Sequence, residues 1–350
     1  MIRRTNRRRF LCATLGAVPW LLPHSRSALA EEQALTFNRL QKATERGWAL
    51  GSTVSMTALH ADRATAQRAV ARAMNELRLV ERVMSLYRPE SQLARLNRDG
   101  VLDDPHPYLV ETLRAAQAMS QQTDGAFDVT VQPLWECYEA AAKADRTPKP
   151  AVLAAALKRV DWRQVEISSQ QIRLRSKGTA VTLNGIAQGY AADRAMAVLA
   201  QHGIEHALVD TGEIASIGTK GQGGAQQDGS QQHGAWTVGI QHPRREDAYL
   251  ALARLEGRCL ATSGDYATTF TADRRDNHLF DPRTGRSPSA FSSVSVAAAT
   301  TMQADALSTA LFVLGPERGL PLVESTPGAD ALVVLKDGRT GATDGFPRES

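Results

Sequence analysis

The chain has 350 residues, 43% of them hydrophobic and 22% charged; that balance excludes a disordered chain, and the length allows one large domain or two ordinary ones. Aromatic residues make up 5%, which argues against a base-stacking nucleic-acid binder. Residues 1–30 hold six arginines and no acidic residue, so leaving them out takes the formal net charge from +4 to −2; the remaining body gives no reason to expect a nucleic acid or other polyanion as partner.

The leader opens on Asn6-Arg7-Arg8-Arg9-Phe10-Leu11, runs through a modest apolar stretch to Pro23, and closes on Ala28-Leu29-Ala30. Its small-x-small ending marks a twin-arginine export signal over residues 1–30, cleaved after Ala30, and a periplasmic mature protein. The apolar run is too short for an anchor and is broken by Pro19 and Pro23, so no stable membrane span is expected after cleavage. Residues 31–350 then read as a single domain. Cys12 leaves with the leader, while Cys137 and Cys259 could pair in an oxidising compartment but read rather as two half-buried free thiols. No CxxC or HExxH pattern points to zinc.

Along the body, residues 31–47 read as a mixed lead-in and residues 49–59 alternate like a strand. Ala69, Ala73, Leu77, Val80 and Met84 recur at helical spacing, predicting a helix over 61–85. A connector with Pro89 leads to a short helix through Leu93 and Leu96, with Ser91 placed as its N-cap. A second amphipathic helix spans 107–123 and stops near Gly125. Residues 151–157 look helical, 165–167 with 172–175 form a hairpin, 180–183 a strand and 189–203 a helix. Strand patterns follow at 207–210, 215–217, 236–241, 250–255, 294–299 and 331–335, and a helix at 303–314. The Gly/Gln-rich stretch 219–234 has no periodicity and reads as a mobile surface insertion. Strands outnumber helices without strict alternation, which favours an α+β fold of mixed or antiparallel sheets with packed helices.

Four segments could carry chemistry, and each also has a plain structural reading. Thr123-Asp124-Gly125-Ala126-Phe127-Asp128-Val129-Thr130 is a helix-to-strand turn, or a tight turn that brings backbone close to a ligand. Thr182-Leu183-Asn184-Gly185-Ile186-Ala187-Gln188-Gly189-Tyr190 runs from a strand through a glycine-rich turn into a helix, whose N-terminus suits a phosphate. It is neither a Walker loop nor GxGxxG. The third segment joins Thr262-Ser263-Gly264-Asp265-Tyr266 to His278-Leu279-Phe280-Asp281-Pro282-Arg283-Thr284-Gly285, where His278 stands between apolar residues and a charged turn. In the fourth, Asp305, Ser308 and Thr309 share one helix face. Three oxygen-bearing side chains there suit a hard cation such as Mg²⁺; the plain alternative is an N-cap and two exposed hydroxyls.

Taken together and in this order, these segments resemble the ApbE family of FAD:protein FMN transferases, over roughly residues 49–346. The resemblance also rests on Met84-Ser85-Leu86-Tyr87-Arg88-Pro89-Glu90-Ser91 and on the Ala-Asp-Ala-Leu-Ser-Thr-Ala helix from Ala304 to Ala310. It implies an ApbE-like (T-fold-like) architecture and Mg²⁺-dependent transfer of FMN from FAD to a Thr or Ser hydroxyl of an acceptor flavoprotein, with release of AMP. In phosphoryl transfer such a site works by positioning and charge neutralisation.

The resemblance places metal ligands at the Gly185 carbonyl, Asp305 and Thr309, with Ser308 at an intervening contact. It places flavin contacts near Leu50, Tyr87, Ala126, Phe127, Asp128, Thr182, Gln188 and Leu279. His278 is the candidate base for the incoming hydroxyl, oriented by Asp281, and Asp305 its catalytic companion. Thr182 stands where many family members carry Asp, Gln188 where many carry Lys or Glu, and Thr211-Gly212-Glu213-Ile214 replaces a commoner Gly-Gly-Asp/Asn wording. These departures keep open a non-catalytic FAD carrier or maturation factor, and beside it an FAD pyrophosphate hydrolase. The Asn-Gly-Ile-Ala-Gln-Gly-Tyr wording, with the leader, resembles the exported branch that serves nitrous oxide reduction. Asp337-Gly338-Arg339-Thr340-Gly341-Ala342-Thr343 matches the family's acceptor motif, Asp-x-x-Thr/Ser-Gly-Ala-Thr, which would make Thr343 a self-modification site. The same residues also fit the closing hairpin of the fold, the weightier reading for so short a motif.

Overall fold

The computed structural model describes residues 40–220 and 234–349. The expected export signal over residues 1–30 and nearly all of the Gly/Gln-rich stretch 219–234 lie outside the described residues. An eight-stranded antiparallel sheet organises the fold, in the order β1 (Gln41–Ala49), β2 (Ser52–His60), β6 (His206–Asp210), β7 (Ile214–Ile217), β10 (Cys259–Gly264), β11 (Phe291–Ala298), β12 (Asp330–Leu335) and β13 (Thr340–Ala342). β3 (Val101–Asp103), β5 (Gln171–Leu174) and β4 (Val165–Ile167) form a small second sheet, and β8 (Trp236–Gln241) with β9 (Tyr249–Leu255) a third. This is the α+β arrangement that the strand and helix pattern predicts.

Helices cover one face of the large sheet. α1 (Arg63–Met84) starts where the Asp62 carboxylate accepts the Ala64 and Thr65 N–H groups, and it buries Ala66, Ala69, Val70, Ala73, Leu77 and Val80 at helical spacing. α2 (Gln92–Asp99) is capped by Ser91, as its residues predict, and ends at Gly100 in the left-handed region. α3 (Pro107–Gln122), α6 (Ala187–Gln201), α7 (Thr301–Leu314) and α8 (Pro316–Glu324) complete this layer. The opposite face is covered by the β8–β9 hairpin, where Trp236, Val238 and Leu255 meet Leu260, Ala297 and Leu332. β11 therefore has apolar matter on both sides and is buried at every residue, with no alternation to read. Among the described residues no helix is long and apolar enough to cross a membrane.

Two local expectations are corrected. Residues 180–183 are not a strand. Val181 instead pairs with a side chain, donating to Asn97 Oδ1 (2.7 Å) and accepting from Asn97 Nδ2 (2.8 Å), and the Thr182 N–H donates to the Val129 carbonyl (2.7 Å). The turn after α3 leads into helix rather than strand: Asp124 and Gly125 adopt φ of 51° and 76°, and a short 3₁₀ turn then opens α4 (Gln132–Lys143). α5 (Pro150–Leu157) packs on α4 beside Phe280. Cys137 and Cys259 are both free thiols, Cys259 buried.

Candidate active site

The cleft forms where the start of α6, the middle of α7, the turn before α4, the β6–β7 turn and residues 278–280 converge. Ala126, Phe127, Asp128, Thr182, Gly185, Gln188, His278, Leu279, Asp305 and Thr309, all singled out in the sequence, line this one cavity. Ser308 is fully buried just behind it. Leu50 falls outside the lining, at the β1–β2 turn with φ of 54°, next to Ser52 and Thr53, which do line it. Tyr87 lies in an adjoining hollow with 73% of its surface exposed; Trp135 and Asn184 border both spaces.

Asp305 is not an N-cap. Thr300 caps α7, its hydroxyl accepting the Gln303 N–H, and Asp305 sits a turn later, 5% exposed. Its Oδ2 accepts the Gly189 N–H at 3.0 Å. One donor of the α6 first turn is thus spent on a carboxylate of the protein rather than left for a phosphate. Ser308 donates to the Asp305 carbonyl (3.0 Å), and Ser263 Oγ lies 2.8 Å from Ser308 Oγ and 3.1 Å from Thr309 Oγ1. A Cβ at Gly185 would stand 3.0 Å from Thr309 Oγ1, so the bare backbone of Gly185 lies directly against that hydroxyl.

Four carboxylates line the cleft, those of Asp128, Asp210, Glu213 and Asp305, and among the described lining residues there is no lysine or arginine. Glu213 accepts the Thr262 N–H (2.9 Å) and Asp210 the Gly212 N–H (2.9 Å). Gln188 is held by backbone: its Nε2 donates to the Thr211 carbonyl (3.0 Å), while Thr211 Oγ1 donates to the Gln188 carbonyl (3.0 Å). The neutral amide therefore acts as a strut between α6 and the β6–β7 turn.

Asp128 accepts from Thr130 N–H (2.7 Å), Thr130 Oγ1 (2.6 Å) and Trp162 N–H (3.1 Å). Burial nevertheless pushes its pKa up to about 6. A carboxyl that holds its proton more tightly when folded adds stability at low pH, and that contribution is lost as pH rises through about 6. Urea unfolding between about pH 4 and 7 should show wild type losing stability relative to Asp128→Asn as pH rises, by at most about 3 kcal/mol. A pH-independent difference contradicts this.

His278 Nδ1 lies 3.2 Å from the Thr268 carbonyl oxygen. That oxygen can only accept, so Nδ1 is the donor in this contact. The Asp281 carboxylate is engaged by Arg283 through Nε and Nη2, both at 2.8 Å. The Thr343 hydroxyl donates to Asp330 Oδ1 (2.7 Å) and accepts the Ala331 N–H (3.0 Å) at the end of the closing hairpin.

Ser52, Asp210, Ser263 and Trp135 belong to the lining but were given no role from sequence. Ser263 lay inside a singled-out segment, whereas nothing in the local pattern marks Ser52 or Trp135.

A family model described as the ApbE family matches residues 50–333. The FAD:protein FMN transferase of Treponema pallidum is 33% identical over 281 residues, covering 76% of each chain. That of Klebsiella pneumoniae is 28% identical over 307 residues, covering 83% of this chain and 84% of its own. Among solved structures, the ApbE protein of Thermotoga maritima superposes with a TM-score of 0.76 at 28% identity, covering 88% of this chain and all of its own. The flavinyl transferase ApbE of Pseudomonas stutzeri gives 0.73 at 29% identity, over 87% and 95%.

Proposed function

Because this chain belongs to the ApbE family, we infer that it transfers FMN from FAD to a Thr or Ser hydroxyl of an acceptor flavoprotein and releases AMP. The observation that carries this reading is the charge of the cleft, lined by four carboxylates and by no described lysine or arginine. A dinucleotide's diphosphate is repelled there unless a divalent cation enters with it. Among the described residues no group of three His, Cys, Asp or Glu could hold a metal. The donor set that fits Mg²⁺ here is of another kind: the Asp305 carboxylate, the Thr309 hydroxyl and the Gly185 carbonyl, all hard oxygens, with Ser308 bracing them from behind. When bound, the cation supplies charge neutralisation at the diphosphate.

The chain's own residues supply the rest. Phe127 and Leu279 offer apolar surface to the flavin, with Tyr87 in the adjoining hollow. His278, whose Nδ1 donates to the Thr268 carbonyl, takes the proton of the acceptor hydroxyl as its oxygen attacks phosphorus. The twin-arginine leader supports a periplasmic location, and the family branch resembled points to a flavoprotein of nitrous oxide reduction as acceptor.

The test supplies FAD and Mg²⁺ with and without a peptide bearing Asp-x-x-Thr/Ser-Gly-Ala-Thr, and follows AMP and peptide mass. AMP formed only with the peptide, together with a gain of one FMN, supports transfer. AMP without acceptor indicates a hydrolase, and FAD bound without AMP a carrier. His278→Ala should lower transfer about 10²–10⁴-fold, the usual contribution of a general base, with FAD affinity nearly intact. Equal loss of both removes His278 from that role.

A further inference from the structure

α6 and α7 run antiparallel against each other and meet at three levels spaced four residues apart. Gly185 lies against Thr309, Gly189 bonds Asp305, and Asp193 bonds the start of α7. At the last level the Asp193 carboxylate takes two backbone donors, Oδ1 from Thr301 N–H (2.8 Å) and Oδ2 from Met302 N–H (2.9 Å). Each helix thus lends a carboxylate to the first turn of the other: Asp193 of α6 to α7, and Asp305 of α7 to α6. Both ends of this clasp use groups that helices otherwise leave unpaired. Gly189 permits it, since the helices approach too closely there for any side chain. Asp193 reaches neither the cleft nor a reacting atom. What it sets is the seating of α7 on α6, and hence where Asp305 and Thr309 stand relative to the Gly185 carbonyl.

We propose that Asp193 is a positioning residue for the divalent-cation site, acting through the reciprocal carboxylate clasp between α6 and α7. The inference rests on the metal reading of Asp305, Thr309 and Gly185 given above. It differs from simple helix capping because Thr300, the residue adjoining α7, already caps it, accepting the Gln303 N–H at 3.2 Å. Asp193→Asn keeps the shape but has one acceptor for two N–H donors, and turns an NH₂ towards the second. Thr300→Ala removes a cap from the same helix without touching the clasp.

Titration of the full chain with Mn²⁺ alone, followed by electron paramagnetic resonance, reads the site without turnover. Asp193→Asn should weaken Mn²⁺ binding about 10–100-fold, the range seen when outer-shell partners of metal ligands are removed. Thr300→Ala should stay within about twofold of wild type while losing comparable thermal stability, as a lost cap does. Mn²⁺ binding unchanged in Asp193→Asn overturns the inference and leaves the metal reading standing, as does an equal loss in Thr300→Ala. A wild-type chain that binds no Mn²⁺ overturns the metal reading and the inference together.

Discussion

Asp305→Asn should abolish FMN transfer, with a loss on the order of 10³-fold or more, beyond the 10–100-fold that an outer-shell partner commands. The asparagine oxygen can still accept the Gly189 N–H, whose distance to Asp305 Oδ2 is 3.0 Å, so the helix contact survives. What disappears is the negative charge and with it the strongest candidate cation ligand. Asp305→Ala removes both. It leaves the Gly189 N–H buried without its acceptor, which costs about 1–3 kcal/mol. The pair therefore separates chemistry from architecture: both variants lose AMP release and acceptor modification, but only the alanine variant should unfold at clearly lower temperature. Asparagine activity above about a tenth of wild type would remove Asp305 from the cation site, since neutralising a direct ligand costs more than neutralising its neighbour.

The sequence carried the site's local chemistry better than its long-range geometry. Segments such as Thr182 to Gly189 and Ala304 to Ala310 stood out because small and polar residues interrupt apolar runs within a few positions, and the cleft brings them together. The bonds that join them were not legible. Gly189 and Asp305 are 116 residues apart and Thr301 and Asp193 108, and no local period signals such pairs. The first strand escaped for another reason. Gln41–Ala49 pairs on one side only, as the sheet edge, and Lys42, Thr44 and Arg46 face outward with Trp48, so it reads as a lead-in. Helix α4 was within reach, because Leu134, Tyr138 and Ala141 recur at helical spacing and are buried together. Residues 180–183 carry a strand's composition, but Val181 is paired by the Asn97 side chain rather than by a neighbouring strand, and composition cannot distinguish the two.

Gly189→Ala should destabilise the protein although it sits inside a helix. Propensity alone predicts the opposite, since alanine is favoured over glycine in a helix interior by about 1 kcal/mol. Packing overrides it. An added Cβ would stand 2.4 Å from the Thr301 carbonyl oxygen, 2.7 Å from its carbon and 2.8 Å from Asp305 Cβ. The first two are backbone atoms of α7, which cannot swing aside as a side-chain end can, so the helices must part. Overpacking of this kind costs about 1–3 kcal/mol and sometimes more. Parting also stretches the Gly189–Asp305 bond and both Asp193 bonds at once. The expected result is an unfolding temperature several degrees below wild type, together with loss of transfer even in the fraction that stays folded at assay temperature. Gly203→Ala provides the contrast, because nothing lies within 4 Å of the added carbon there and only its φ of +75° resists the change. That variant should lose stability without losing transfer below its own unfolding temperature. If Gly189→Ala instead melts at or above the wild-type temperature, α6 and α7 do not approach as described, and the seating of Asp305 against the start of α6 must be abandoned with it.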